Sequence, residues 1–342
     1  MQHLAGRIFY APTERGDPMP NSEKFSYCRI PAWHEAGYTG QGIRVAVFED
    51  TSQGHGRMVA DVLQQILPDA EVLNRKRPGP IESSSDKLKP ETRARLTDFY
   101  NSLAAEGVHI CTMSLGGTGT KESAELEQEL LIDRGIVLFT SAGNEGREIS
   151  PRTAAAMPTW IAVGACALTK TGPQRTSYSN FGPQLACMGF TNISTSWGGV
   201  FQGTSCANPF VAGLCGLWAG WCLQHYGRTP NQADVLHFIE RYSENPDGPG
   251  YSDMYGAGLL RLPDPASLKV PEPAPDPEPE PPKEGENVFT DIKGHWAEAD
   301  IEKAAEAGLL SGYPDGRFDP DGPVTRAQLA AVANRILAKL PK

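Results

Sequence analysis

Gly203-Thr204-Ser205-Cys206-Ala207-Asn208-Pro209, running into the apolar stretch 210–218 (FVAGLCGLW), decides how this chain is to be read. Thr204 and Ser205 are residue types that cap a helix start. Pro209 is tolerated in a first turn, where its missing N–H has no partner to lose, and the run beyond it is apolar on every face. A helix of that kind is buried, with a serine hydroxyl at its mouth. Taken alone the stretch reads equally as a well-capped core helix or as the seat of a nucleophile, so the motifs around it must decide.

With 342 residues the chain is long enough for two domains and a large core. Glycine and proline, 36 and 29 residues, exceed the usual share and point to tight loops and a linker. No stretch reads as apolar enough to span a bilayer, so no membrane partner is expected. Residues 1–19 carry no apolar segment behind a basic start, and no secretory signal is read there. The seven cysteines, Cys28, Cys111, Cys166, Cys187, Cys206, Cys215 and Cys222, are scattered without CxxC pairs. Such an odd, unpatterned set fits a reduced compartment and synthesis in the cytoplasm. A net charge of -10 argues against a nucleic-acid partner.

Residues 270–287, VPEPAPDPEPEPPKEGEN, alternate proline with acids and can form only an extended, stiff spacer. Ahead of it, apolar runs at 43–48, 110–113, 136–140 and 160–163 alternate with helical patterns at 58–67 and 121–133, and the helix after Ser205 follows. Strand-helix alternation implies an α/β fold, a parallel sheet with helices on both faces, whose sites gather at the carboxyl ends of strands. Ser114, Leu115, Gly116 and Gly117 follow one such strand, and Ala142, Gly143 and Asn144 follow another. Paired glycines admit a close backbone, and an asparagine beside them can offer its N–H to a developing oxyanion. Upstream, the run 44–48 leads into Glu49 and Asp50, and Gly54-His55-Gly56 opens the next helix. A carboxylate, an imidazole and a hydroxyl are then available.

In these motifs the chain resembles the subtilisin-like serine proteases. The serine motif GTSxxxP lies at 203–209, the histidine motif at His55-Gly56, the oxyanion motif at 142–144 and the substrate strand at 114–117. IAVGA at 161–165 and YGxGL at 255–259 complete the order. His55 and Asn144 exclude the related sedolisins, which carry glutamate and aspartate at those places. The resemblance implies a subtilisin-like three-layer sheet over residues 38–266 and a serine endopeptidase acting on polypeptides. In that reading Ser205 attacks, His55 moves the proton and an acid orients it. Asn144 serves the oxyanion, and Ser114, Leu115, Gly116, Gly117, Ala142 and Gly143 line the substrate. No cofactor is implied, and since the loops that hold calcium in relatives look absent, no metal is expected.

Two positions depart from the family pattern. Counting along the strand puts Glu49 on the acid's place, whereas Asp50-Thr51 better matches the family's Asp-Thr pair. Alternation along a strand turns Asp50 away unless a bulge re-aims it. Both are carried forward, Asp50 first. The misplaced acid and the five-residue spacing from Asp50 to His55 motivate an alternative, an inactive subtilase fold used as a peptide-binding or wall-attached scaffold. Cys206, beside Ser205, reads as a small buried filler in preference to an oxidisable thiol.

Residues 288–342 resemble a single S-layer homology domain, on Phe289-Thr290-Asp291, His295-Trp296, the run 308–318 and Thr325-Arg326-Ala327-Gln328. This implies a small all-α module of two helices, 297–307 and 326–340, whose partner is an anionic secondary cell-wall polymer contacted by Arg326 and Trp296. The expected order is thus an N-terminal extension 1–37, a peptidase domain 38–266, a linker 267–287 and the small module 288–342. The module points to the cell surface, against the cytoplasmic reading of the cysteines and the N-terminus.

Overall fold

The computed structural model describes residues 21–79, 81–84, 86–268, 289–307, 309–310, 317–322, 332–333 and 335–336. The chain divides into two units, 1–270 and 271–342. The first begins with α1 (Ser22–Tyr27), α2 (Ile30–Glu35), β1 (Arg44–Val47), α3 (Gly54–Ile66) and β2 (Glu71–Asn74). The short pair β3 (Ser83–Ser84) and β4 (Lys87–Leu88) precedes α4 (Pro90–Ala105), β5 (Ile110–Met113), α5 (Lys121–Leu130), β6 (Val137–Ser141) and β7 (Ile161–Thr169). Then come β8 (Gly172–Arg175), β9 (Leu185–Phe190), the hairpin β10 (Ile193–Ser194) and β11 (Val200–Phe201), α6 (Thr204–Tyr226), α7 (Gln232–Tyr242), β12 (Ser243–Glu244) and β13 (Leu259–Leu260).

The main sheet runs β12-β13-β9-β7-β6-β5-β1-β2, parallel from β13 to β2, with β12 antiparallel at one edge and β8 antiparallel on β7. Because strand side chains alternate, each strand feeds two cores. Val45 and Val47 join α3, α6 and α7 on one face, through Leu63, Leu214 and Phe238. Ala46 and Phe48 join α4 and α5 on the other, through Leu96, Tyr100 and Leu126. The expected three-layer architecture, with helices on both faces, is the one observed.

Two expectations change. Residues 21–37, taken as part of an extension, pack onto the first unit, with Cys28, Ile30 and Trp33 in its core. Trp33 is fully buried and its indole N–H donates to the Pro263 carbonyl at 2.9 Å, while Arg29 donates to the Leu262 carbonyl at 2.9 Å. The two helices have six residues each, too few for a helical period to show. The second change concerns apolarity. At 23 residues α6 is long and apolar enough to cross a membrane, contrary to the sequence reading, but 83% of its most apolar window is buried inside the protein. Its all-round apolarity is that of a core helix packed between α3 and the sheet.

In the second unit Phe289, Ile292 and Ile301 form a small core, and the Phe289 and Phe318 rings lie 5.1 Å apart. The helix expected at 297–307 is α8 (Glu298–Glu306). Of the helix expected at 326–340 the described residues, 332–333 and 335–336, are helical, and Arg326 lies outside the described residues. Trp296 is 87% exposed.

Candidate active site

The chain leaves β1 toward β2 on one side and reaches β5 on the other, so the carboxyl ends of β1 and β5 form the crevice where the strand order reverses. Glu49 follows β1, two residues beyond Val47, and falls on the face that carries α3 and α6. It is 3% exposed. Its Oε1 accepts the Ser114 N–H at 3.0 Å and its Oε2 lies 2.5 Å from His55 Nδ1. Both oxygens are thus engaged, one by each neighbouring element.

Asp50, the first choice for that carboxylate, is not there. It accepts instead from the Ser52 hydroxyl and N–H at 2.6 and 3.0 Å and from the Gln53 amide at 3.0 Å. The Ser52 hydroxyl, then the Ser52 N–H and the Gln53 amide, hold its carboxyl well below the usual range. The pairing of Val45, Ala46 and Val47 with β5 runs in register, and Glu49, not Asp50, continues the alternation of Val45 and Val47.

His55 lies in the first turn of α3, earlier than the helix start expected near residue 58. The approach depends on Gly56, where an added Cβ would lie 2.3 Å from the Asp50 carbonyl oxygen and 3.0 Å from Glu49 Cβ. With Nδ1 engaged by a carboxylate, that nitrogen carries the proton and Nε2 presents its lone pair. The Phe201 ring meets the imidazole edge-on at 5.3 Å.

Ser205 occupies the second position of α6 and is 9% exposed. Neither Thr204 nor Ser205 caps the helix through its side chain. Gly203, at φ 88°, is the N-cap. Pro209 also falls outside the first turn, as the sixth helical residue, and the consequence is local. A residue with an N–H there would bond the Ser205 carbonyl four positions back. Proline leaves that oxygen free, and the Ser114 hydroxyl donates to it at 3.0 Å. Asn208, fully buried, donates to the Thr112 and Ser114 hydroxyls at 2.8 and 3.0 Å. The proline and its neighbour thereby bind α6 to the end of β5. The Ser205 hydroxyl donates to the Ser114 carbonyl at 2.9 Å.

Asn144 is oriented by Thr204, whose N–H and hydroxyl both donate to Oδ1, at 2.9 and 3.0 Å. A backbone N–H can only donate, so the facing atom is the amide oxygen and the NH2 is turned elsewhere. Among the described residues neither Asn144 Nδ2 nor the Ser205 N–H has a protein partner, and the latter is one of the free donors at a helix N-terminus. Asn180, which the sequence reading passed over, shapes this loop. Its Nδ2 donates to the Ala142 carbonyl and Glu145, and its Oδ1 accepts the Glu145 and Arg147 N–H groups. Gly143, at φ 104°, donates its N–H to the Thr204 hydroxyl at 3.2 Å. No flanking pattern marks residue 180 in the sequence, because its partners lie more than 30 residues upstream.

Leu115 and Gly116 are exposed and Gly117 half-buried, so the edge beyond Ser114 is open. A cleft of about 470 Å³ borders His55 and this edge. Among the described residues no group of three or more His, Cys, Asp or Glu side chains is placed to hold a metal ion. Cys206 is fully buried and burial pushes its thiol up to about 12, as befits a filler at the helix start.

Comparisons with known proteins bear on the family and the fold. The family model for the subtilases matches residues 48–258, and that for the S-layer homology domain matches residues 288–330. A subtilisin of Bacillus pumilus is 28% identical over 275 residues, covering 69% of this chain and 95% of that protein. Cell surface glycoprotein 1 of Acetivibrio thermocellus is 45% identical over 53 residues, 16% of this chain and 2% of that protein. Among solved structures MycP1 from Mycobacterium smegmatis shares the fold, with a TM-score of 0.57 and 18% identity over 81% of this chain and 91% of that one. A chain with this sheet, this order of motifs and this family match belongs to the subtilase family of serine proteases, and carries an S-layer homology domain behind its peptidase unit.

Proposed function

We propose that the chain is a serine endopeptidase in which Ser205 is the nucleophile, His55 the general base and acid, and Glu49 the carboxylate that orients the imidazole. The observation that carries this reading is the buried Glu49 carboxylate bonded at once to His55 Nδ1 and to the Ser114 N–H, at the crevice where α6 brings Ser205. As the Ser205 oxygen adds to the substrate carbonyl carbon, its proton passes to His55 Nε2. The oxyanion takes hydrogen bonds from Asn144 Nδ2 and the Ser205 N–H. Collapse then expels the amine, which takes the proton from His55, and water releases the acyl group by the same route.

The resting hydroxyl bonds the Ser114 carbonyl, so attack requires a turn about χ1 toward His55. A substrate N–H that pairs with that carbonyl, as strand addition at 114–117 demands, competes for the same oxygen and favours the turn. Residues 142–144 would form the opposite wall of the substrate channel.

A fluorophosphonate probe tests the reading. The wild-type chain takes one adduct, on Ser205, and Ser205→Ala takes none. A wild-type chain left unlabelled would instead be a non-catalytic member of the family, used as a peptide-binding scaffold.

The second unit is proposed to hold the enzyme to an anionic cell-wall polymer. Support comes from the likeness of its sequence to part of a cell surface glycoprotein and from the exposed Trp296. Arg326 is the proposed cationic contact.

A further inference from the structure

The cleft beside residues 114–117 is lined by Phe48, Ile81, Met113 and Leu115, and two cations, Lys76 and Arg77, border it. Arg77 is almost buried, with its side chain 10% exposed. Its Nη2 donates to the Tyr100 hydroxyl at 3.1 Å and lies 3.6 Å from Glu127, and its Nη1 lies 3.7 Å from Met113 Sδ. Its Nε is buried with no hydrogen-bond partner. A buried guanidinium N–H without an acceptor leaves the Arg77 head group incompletely satisfied by the protein. The group also lies close to the substrate edge, since a Cβ at Gly117 would be 3.6 Å from Arg77 Nη1. Lys76 is exposed and forms no ion pair among the described residues. The acids at the same cleft are engaged, Glu49 by His55 and Ser114, Asp50 by Ser52, Gln53 and Asn74.

We infer that this cleft selects a substrate side chain with an apolar stem and an acceptor at its tip, glutamate above all, through Arg77 and Lys76. The inference rests on the reading of residues 114–117 as the substrate-binding edge. Gly117 is three residues beyond Ser114, roughly 10 Å along an extended chain. The selected side chain therefore belongs to a residue two to four positions ahead of the cleaved bond. Apolar walls accept the methylenes, and the cations accept the carboxylate by charge-assisted hydrogen bonds.

Internally quenched peptides test this, with one glutamate walked through those three positions and replaced at the best one by Gln, Leu or Lys. Wild type should cleave the Glu peptide with a kcat/KM about tenfold above the Leu peptide, with Gln between them and Lys lowest. Lys76→Met, a surface change, should reduce the Glu preference severalfold. Arg77→Met combined with Glu127→Gln, which removes the ion pair whole, should bring it within twofold, while turnover of the Leu peptide and fluorophosphonate labelling persist. Leu cleaved as fast as Glu by wild type, or a preference untouched in both variants, overturns the inference and leaves the protease reading intact. A wild-type chain that neither cleaves any peptide nor takes the probe overturns both.

Discussion

Glu49 reaches His55 because of where it falls in the alternation that begins at Val45. The parity was legible in the sequence and pointed to Glu49. What tipped the reading to Asp50 was a likeness of dipeptide, Asp50-Thr51, which says nothing about the face a side chain takes. The extra methylene of glutamate is accommodated with both oxygens bonded. In the proposed reaction Glu49→Gln should lower kcat by about 10⁴, as loss of an orienting carboxylate does. Asp50→Asn should stay within about threefold, because it touches neither the imidazole nor Ser205. Steady-state kinetics on one peptide compares them. Asn144→Ala removes one oxyanion donor and should cost about 10²–10³ in kcat with little change in KM. Cys206 belongs to the same scale. Burial pushes its thiol up to about 12, which keeps it in the unreactive protonated form, and the side chain is out of reach of solvent. Activity should survive dilute peroxide, and loss of activity with an oxidised Cys206 in the mass spectrum would reverse that view.

The sequence announced the start of α6 but not its working. Thr204 and Ser205 look like caps, yet their hydroxyls serve Asn144 and the Ser114 carbonyl. Pro209 looks like a first-turn residue, yet it acts at the sixth position by withholding an N–H from the Ser205 carbonyl. Such roles depend on contacts with β5 some 90 residues away, which no local pattern encodes. Strand β9 meets the same helix at Gly189, where an added Cβ would lie 2.5 Å from the Ala207 carbonyl oxygen and 2.8 Å from Val211 Cγ2. Backbone on one side and a packed side chain on the other leave no room to yield. Gly189→Ala should cost about 1–3 kcal/mol. Thermal melting reads this as a drop of about 2–4 °C per kcal/mol.

Across the molecule the change of composition at residue 270 was readable because alternating proline and acid cannot pack. The membership of residues 21–37 in the first unit was not, since Trp33 finds its partner, Pro263, 230 residues later. The division into two units separates their proposed tasks. A chain ending at 270 should keep kcat/KM on small peptides within about twofold and lose sedimentation with purified wall sacculi that the full chain shows. Sedimentation unchanged by the truncation would place the wall contact in the peptidase unit.

All seven cysteines are free and buried, and they fall on β5, β7, β9, α6 and the segment after α1. A reagent in solution meets each of them only when that part of the fold opens. Timed alkylation read by mass therefore turns these thiols into a set of clocks, each reporting the opening frequency of its own element without any introduced label. Cys206, two positions into the helix from Thr204, would time the loosening of the very turn that holds Ser205.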